Sequence, residues 1–347
     1  FTEGDVYPRP RYYVSAKVLE LFDLALLADG GADGILKYMY DYVQRPDYET
    51  GYTDRHIHNE ALRGQVKEIF DKKHPVGVRA FNAMHKVENW VLPEQCEEKI
   101  ANKLIQSHQS VSRDILSKNS IPTAFEDSGY PALVCGENAR YITRDELKNG
   151  AVLDVPAAKI LMESGIDTGL ISEETCRFAG EHFTKENAGI HNIDNQALKK
   201  IQCSEKAKVL SVFTPDETPA AYLYENEEGI RFLVMAYDLY NAAVNANYTN
   251  NYYRQAQLIE AINWVGKRRL PAVSEKNPNL YLLTSSDGEA MSVALLNVFL
   301  DEILDPVIRL DKNYSEIKFV NCSGRLEGDM VYLSEIAPYG FAAFEVR

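Results

Sequence analysis

No C-x-x-C pair occurs in this sequence, and its five cysteines (Cys96, Cys135, Cys176, Cys203 and Cys322) are odd in number and far apart. That pattern excludes a dense disulfide framework and a thiolate metal site, so reduced, mostly buried thiols are expected. Long apolar runs are also missing. None approaches the roughly 18 residues that a membrane-spanning helix needs, so no membrane partner is expected. Positive charge is scarce: 37 Lys and Arg stand against 51 Asp and Glu, a net charge of -14. Such a surface repels phosphate backbones, which argues against a nucleic-acid partner. There is no internal repeat, no low-complexity linker, no initiator Met and no signal-like segment. The chain opens on Thr2-Glu3-Gly4-Asp5-Val6, which reads as the end of a strand, so missing upstream sequence is expected. The compartment stays open, with the cytoplasm favoured.

What is present is an ordinary globular mixture, 45% hydrophobic and 25% charged. At 347 residues it exceeds one comfortable core, so two or three domains are expected. Val14, Val18, Leu21, Phe22 and Ala25 recur at helical spacing over 14–28, and Gly30-Gly31 stops that helix. Ile35 to Tyr40 reads as a strand, and a polar loop runs from Asp41 to about Arg55. Leu62, Val66, Ile69 and Phe70 mark a second helix. Strand end, helix, strand, helix is the alternation of parallel strands, and in a closed barrel the active loops follow the strands' C-terminal ends.

From Pro75 the grain changes. Val76 to Phe81 reads as a strand, Pro93 opens a helix with Ile100, Leu104 and Ile105, and Ile121 to Phe125 and Pro131 to Cys135 read as short buried strands. Thr143-Arg144-Asp145-Glu146 is a capping box, and a helix follows Pro156. Residues 171–205 are polar and carry no readable period. Glu225 to Gly229 reads as a hairpin turn, and Tyr252 to Val265 as a helix. These features predict a doubly wound α/β domain over 75–271. After Pro271, short runs separated by turns, with Asp287-Gly288 as a hairpin cue, predict a β-sandwich.

Three constellations bear chemistry. Glu3, followed by Arg9 and Arg11, puts a carboxylate at a strand end beside cations that hold it ionised. A retaining glycosidase needs such a nucleophile and a second carboxyl roughly 5 Å away. The loop with Tyr38, Tyr40, Tyr48, Glu49 and His56 has aromatic faces to stack on sugar rings and polar groups to bind hydroxyls. His56, His58 and Glu60 could suggest a metal, but the i, i+2 spacing does not put both histidines on one helix face and no third ligand is evident, so none is expected. Asn59-Glu60 matches an Asn-Glu acid/base pair in type, but it opens a helix rather than ending a strand. Cys135, at a strand end before Gly136, has the placing of an amidotransferase nucleophile. It lacks the His-x-Glu of that class, and a buried inert thiol is the expectation.

The order of elements resembles the end of the catalytic barrel of glycoside hydrolase family 42, the β-galactosidases. The residues that carry the likeness are the strand ending in Glu3, the step Ala28-Asp29-Gly30-Gly31-Ala32-Asp33-Gly34, and Tyr48-Glu49 followed by His56. The resemblance implies a two-strand remnant of a (β/α)8 barrel over 1–74, with Glu3 as nucleophile and Arg9, Arg11, Tyr38, Tyr40, Tyr48, Glu49 and His56 lining a sugar site. It implies an amidotransferase-like trimerisation-type domain over 75–271 and a β-sandwich over 272–347. The acid/base is then expected on a missing N-terminal barrel segment, so this chain alone is not expected to turn over substrate. A carbohydrate substrate, a homo-oligomer and no cofactor follow from the likeness. The residues around Glu3 depart from the family's pattern, which leaves β-galactoside specificity open. A non-catalytic oligomerisation or sugar-binding module is the alternative.

Overall fold

The computed structural model describes residues 2–4, 15–30, 35–37, 51–84, 86, 111–191, 198–242, 249–275 and 280–347. Two compact units share the chain: residues 1–76 with 271–347, and residues 77–270.

The first unit begins with β1 (Thr2–Gly4), α1 (Ala16–Asp29), β2 (Ile35–Lys37), α2 (Gly51–His58), α3 (Glu60–Phe70) and β3 (His74–Pro75). β1 and β2 pair in parallel, with Glu3 opposite Leu36. Parallel neighbours need a crossover, and α1 lies within it. The Ser15 hydroxyl starts α1 by accepting from the Val18 N–H at 3.2 Å. Gly30 ends it in the left-handed region, φ 72, where a side chain is strained. The buried stripe differs from the one read in sequence. Leu19, Leu21, Leu24 and Ala28 are buried, whereas Phe22 is 41% exposed. The segment expected to be loop up to Arg55 is helical from Gly51.

The second unit contains β4 (Val78–Ala80), α4 (Ser112–Ile115), β5 (Thr123–Ala124), β6 (Ala132–Val134), β7 (Ala151–Asp154), α5 (Val155–Glu163), β8 (Leu170–Thr175), β9 (Gly180–Phe183), β10 (Ala188–His191), β11 (Lys199–Cys203), β12 (Lys208–Thr214), β13 (Thr218–Glu225), β14 (Arg231–Met235), α6 (Leu239–Ala242) and α7 (Tyr252–Val265). Nine strands form one mixed sheet in the order β10-β9-β12-β13-β14-β7-β6-β4-β5. Its parallel part, β5-β4-β6-β7-β14, has the 2-1-3-4-5 order of a doubly wound sheet. β13 turns back into β14 at the expected hairpin. Antiparallel β12, β9 and β10 extend the sheet beyond β13. No periodicity over 171–205 pointed to β9 or β10. The Thr143–Glu146 capping box is present, the Glu146 carboxylate accepting from the Thr143 N–H at 2.9 Å, but it opens only a short 3-10 turn. The helix expected after Pro93 lies outside the described residues.

The first unit resumes with β15 (Ala272–Glu275), β16 (Leu280–Ser286), β17 (Met291–Asn297), β18 (Val307–Leu310), β19 (Ile317–Val320), β20 (Gly324–Glu327), β21 (Met330–Leu333) and β22 (Phe341–Val346). These strands make two sheets, β15-β18-β21-β20 and β19-β22-β17-β16-β3. Leu282, Val293, Leu295, Ile308, Val331 and Phe344 fill one core. A second core joins Leu21, Leu24, Val66, Ile69 and Phe70 of α1 and α3 to Ala294, Leu296 and Phe341. β17 and β22 are therefore covered on both faces, and every residue in them is buried. A strand with two covered faces has no polar alternation to show. Each large apolar side chain buried this way contributes roughly 1.5–3 kcal/mol.

Candidate functional site

Glu3 sits in the middle of β1, one residue before the strand ends at Gly4. The parallel pairing places the C-terminal residues Gly4 of β1 and Lys37 of β2 opposite each other. Arg9, Arg11, Tyr38, Tyr40, Tyr48 and Glu49 lie outside the described residues.

His56 is described, and it belongs to a polar cluster among α1, α2 and α3. Its Nδ1 lies 3.5 Å from Glu20 Oε1, and its Nε2 is 3.2 Å from an Arg63 nitrogen. Because the guanidinium can only donate, Nε2 accepts and Nδ1 carries the proton toward Glu20. Arg63 also donates to Glu20 Oε2 at 3.0 Å, and the Asn59 amide donates to the same oxygen at 3.3 Å. Glu20 is 3% exposed and Asp23 1% exposed. A carboxylate so deeply buried is tolerable only when paired and hydrogen-bonded, and the Glu20 contacts supply both.

Glu20, Asp23 and His56 bring three potential ligand atoms within 4.8 Å of one another. Among the described residues this is the cluster suited to a cation. The Arg63 guanidinium already supplies positive charge at Glu20. The sequence reading missed Glu20, Asp23 and Arg63. The available signal was two carboxylates three residues apart on the buried side of an otherwise apolar helix. Glu20 also lines a hollow of about 340 Å³ within this unit, together with Lys17, Arg55, His58 and Asn59. Its walls can hydrogen-bond and carry charge of both signs.

Cys135 in the second unit follows β6, and Gly136 is in the left-handed region, φ 52. A Cβ at Gly136 meets the Tyr240 ring at 2.9 Å, so the turn requires glycine. Burial, and then the nearby Asp154 and Asp238 charges, push the thiol well above its ordinary value. A nucleophilic cysteine needs the opposite, a stabilised thiolate. His182 lies on β9, five strand positions away from β6 in the sheet. At about 4.8 Å per position that is roughly 24 Å, and His191 on β10 is farther still. Neither of the two histidines weighed for that role is near the thiol, and Cys135 is buried as expected.

No family model matches the sequence, and no curated protein matches it. Solved structures do match in fold. One is an alpha-L-fucosidase isoenzyme 2 from Paenibacillus thiaminolyticus, at 8% identity over 96% of this chain and 57% of that one, TM-score 0.58. A GH42 beta-galactosidase from G. stearothermophilus is similar at 16% identity over 96% of this chain and 51% of that one, TM-score 0.55. A beta-galactosidase from Bacillus circulans sp. alkalophilus matches at 11% identity over 96% of this chain and 52% of that one, TM-score 0.54. The chain thus spans about half the length of these proteins, and it has the fold of a glycoside hydrolase-like fragment.

Proposed function

We propose that this chain is the C-terminal portion of a retaining glycoside hydrolase acting on oligosaccharides, with Glu3 as nucleophile and the acid/base on sequence upstream. The observation that carries the reading is the β1-α1-β2 unit, which has Glu3 in the first of two parallel strands, within a chain that shares its fold with half of several glycosidases. In this reading residues 1–74 complete a (β/α)8 barrel, 75–271 form an amidotransferase-like assembly domain, and 272–347 a sandwich. The protein works as a homo-oligomer.

The chemistry follows from the carboxylate. Ionised Glu3 attacks the anomeric carbon while the second carboxyl group protonates the departing oxygen. The resulting glycosyl-enzyme is then hydrolysed by water that the second group deprotonates. Arg9 and Arg11 keep Glu3 ionised, and Tyr38, Tyr40, Tyr48 and Glu49 grip the sugar. Both ring nitrogens of His56 are engaged by Glu20 and Arg63. His56, in the last turn of α2, therefore ties that helix to α1 and α3.

The test is turnover of aryl β-galactosides and aryl α-fucosides by the full-length protein. Glu3→Ala is expected to lower kcat by several orders of magnitude, with azide restoring product through a glycosyl azide. Undiminished hydrolysis by the variant removes Glu3 from the mechanism. No hydrolysis by the unaltered protein, with sugar binding intact, replaces the enzyme by a binding module.

A further inference from the structure

In α7, Gln257, Glu260, Ala261 and Trp264 recur at i, i+3, i+4 and i+7, so they form a single stripe of that helix. The stripe lines a cavity of about 150 Å³ in the second unit. Val209 and Leu210 of β12 and Leu223 of β13 supply apolar wall, and the turn after β9 supplies Thr184, Lys185 and Glu186. A helix laid on a sheet ordinarily fills such space with side chains. Here the polar members of the stripe leave it open.

The walls are fixed. The Thr184 hydroxyl donates to the Leu210 carbonyl at 2.8 Å, which ties the turn to β12. Lys185 pairs with Glu260 of α7 at the exposed rim, where such a pair adds little. The Gln257 amide donates to Ser211 Oγ at 3.1 Å. Arg231, which is not part of the wall, lies 4.5 Å over the Trp264 ring and holds the indole from outside the cavity.

The lining selects a ligand class. An indole beside aliphatic carbon offers an apolar platform, while ammonium, carboxylate and hydroxyl groups around it offer hydrogen bonds. Lys185 and Lys208 balance Glu186 and Glu260, so the rim is neutral and favours neither an anion nor a cation. Lys208 and Glu186 have no ion-pair partner among the described residues, which leaves an ammonium and a carboxylate to meet hydroxyls. A neutral ring with one apolar face and a hydroxylated edge satisfies all of this. The volume equals about five waters at roughly 30 Å³ each, room for a single six-membered ring.

We infer that this cavity is an accessory site for one hexose unit of a neutral saccharide, separate from the Glu3 strand. The choice of a sugar among neutral polyols rests on the glycosidase reading above. Such a site tethers the protein to an oligosaccharide through a residue that is not being cleaved.

The chain has two tryptophans, so Trp90→Phe leaves Trp264 as its sole indole reporter. Lactose, methyl β-D-galactoside and L-fucose are titrated into that variant of the 347-residue chain while indole emission is followed. The expected result is a saturable change with at least one sugar, at a dissociation constant on the order of 1 mM. Glucuronate and glucosamine, the charged counterparts, are expected to bind at least tenfold more weakly than the best neutral sugar. Lys208→Ala with Glu186→Ala alters only side chains at the rim and is expected to weaken that binding about tenfold without changing the unfolding midpoint. A linear, unsaturated response to all three sugars, or a rim variant that binds as before, overturns the site. Hydrolysis is read separately. Loss of the Glu3 assignment leaves this titration standing, and an unresponsive Trp264 leaves Glu3 untouched.

Discussion

Asp154 shows how one residue can set a pH dependence. It ends β7 and caps α5, its Oδ1 accepting from the Gly136 and Ala157 N–H groups at 2.9 Å each. Oδ2 accepts from the Leu239 N–H at 3.3 Å. Burial raises its pKa from 3.8 to about 7 in spite of these donors, and Asp238 adds to the rise. The folded protein therefore holds a proton that the unfolded chain gives up at lower pH. The stabilisation is full below about pH 4 and is lost as pH rises toward 7. Asp154→Asn keeps an oxygen for the cap and cannot ionise. Its unfolding free energy is expected to gain on that of the unaltered protein by a few kcal/mol between pH 5 and 7.5, as read by denaturant midpoints. A constant difference over that range rules out Asp154 as the titrating group. The adjacent Cys135 is expected to resist iodoacetamide in the folded protein at neutral pH, because its thiol is buried and its pKa is pushed up.

At the scale of the element, α7 is fastened from beneath. Arg254 is fully buried and donates to Glu181 of β9 at 2.5 Å and to the Tyr237 hydroxyl at 2.8 Å. Its guanidinium also lies 5.1 Å over the Phe183 ring. Removing one partner of a buried pair strands the other charge. Arg254→Met is therefore expected to cost about 3–5 kcal/mol in denaturant unfolding, and Glu181→Gln in the same background to recover part of it. If the double variant is less stable than Arg254→Met, the stranded-charge argument is wrong. α7 itself was legible, because Leu258, Ile259, Ile262 and Val265 carry a helical period. Its anchor was not, since the pairing of Arg254 with Glu181 joins residues far apart in sequence. The same limit hid the cluster around His56: α3 announced itself, but α2 was expected to be loop up to Arg55, and the partner Glu20 lies on α1. β1, β2 and the hairpins at Glu225–Gly229 and Asp287–Gly288 followed from local signals. β9 to β12 did not: charged Glu181 is buried on β9, β10 buries none of its four residues, and the runs are too short to show a period.

The whole chain interrupts one unit with another. Residues 1–76 and 271–347 share the core in which α1 and α3 pack against β17 and β22. Lys73, just past α3, reinforces that join by pairing with Glu345 of β22 at 2.5 Å while also donating to the Ile69 carbonyl. Burial works to raise the Glu345 pKa, yet the Lys73 ammonium and Arg347 hold it below its ordinary value. Its contribution is therefore present above the unfolded pKa and lost as pH falls through the folded one. No such shared core is needed by residues 77–270, which close their own nine-stranded sheet. That length lies within the range of independently folding domains. A chain cut to 77–270 is thus expected to unfold in a single cooperative transition with native near-UV dichroism. Residues 1–76 alone are expected to stay unfolded until 271–347 is supplied, because α1 and α3 leave Leu21, Leu24, Val66 and Phe70 without the sheet that covers them. Mixing the two terminal pieces and following far-UV dichroism tests the second half of the argument. Helix in 1–76 that forms without its partner shows that the sheet is not what holds α1 and α3.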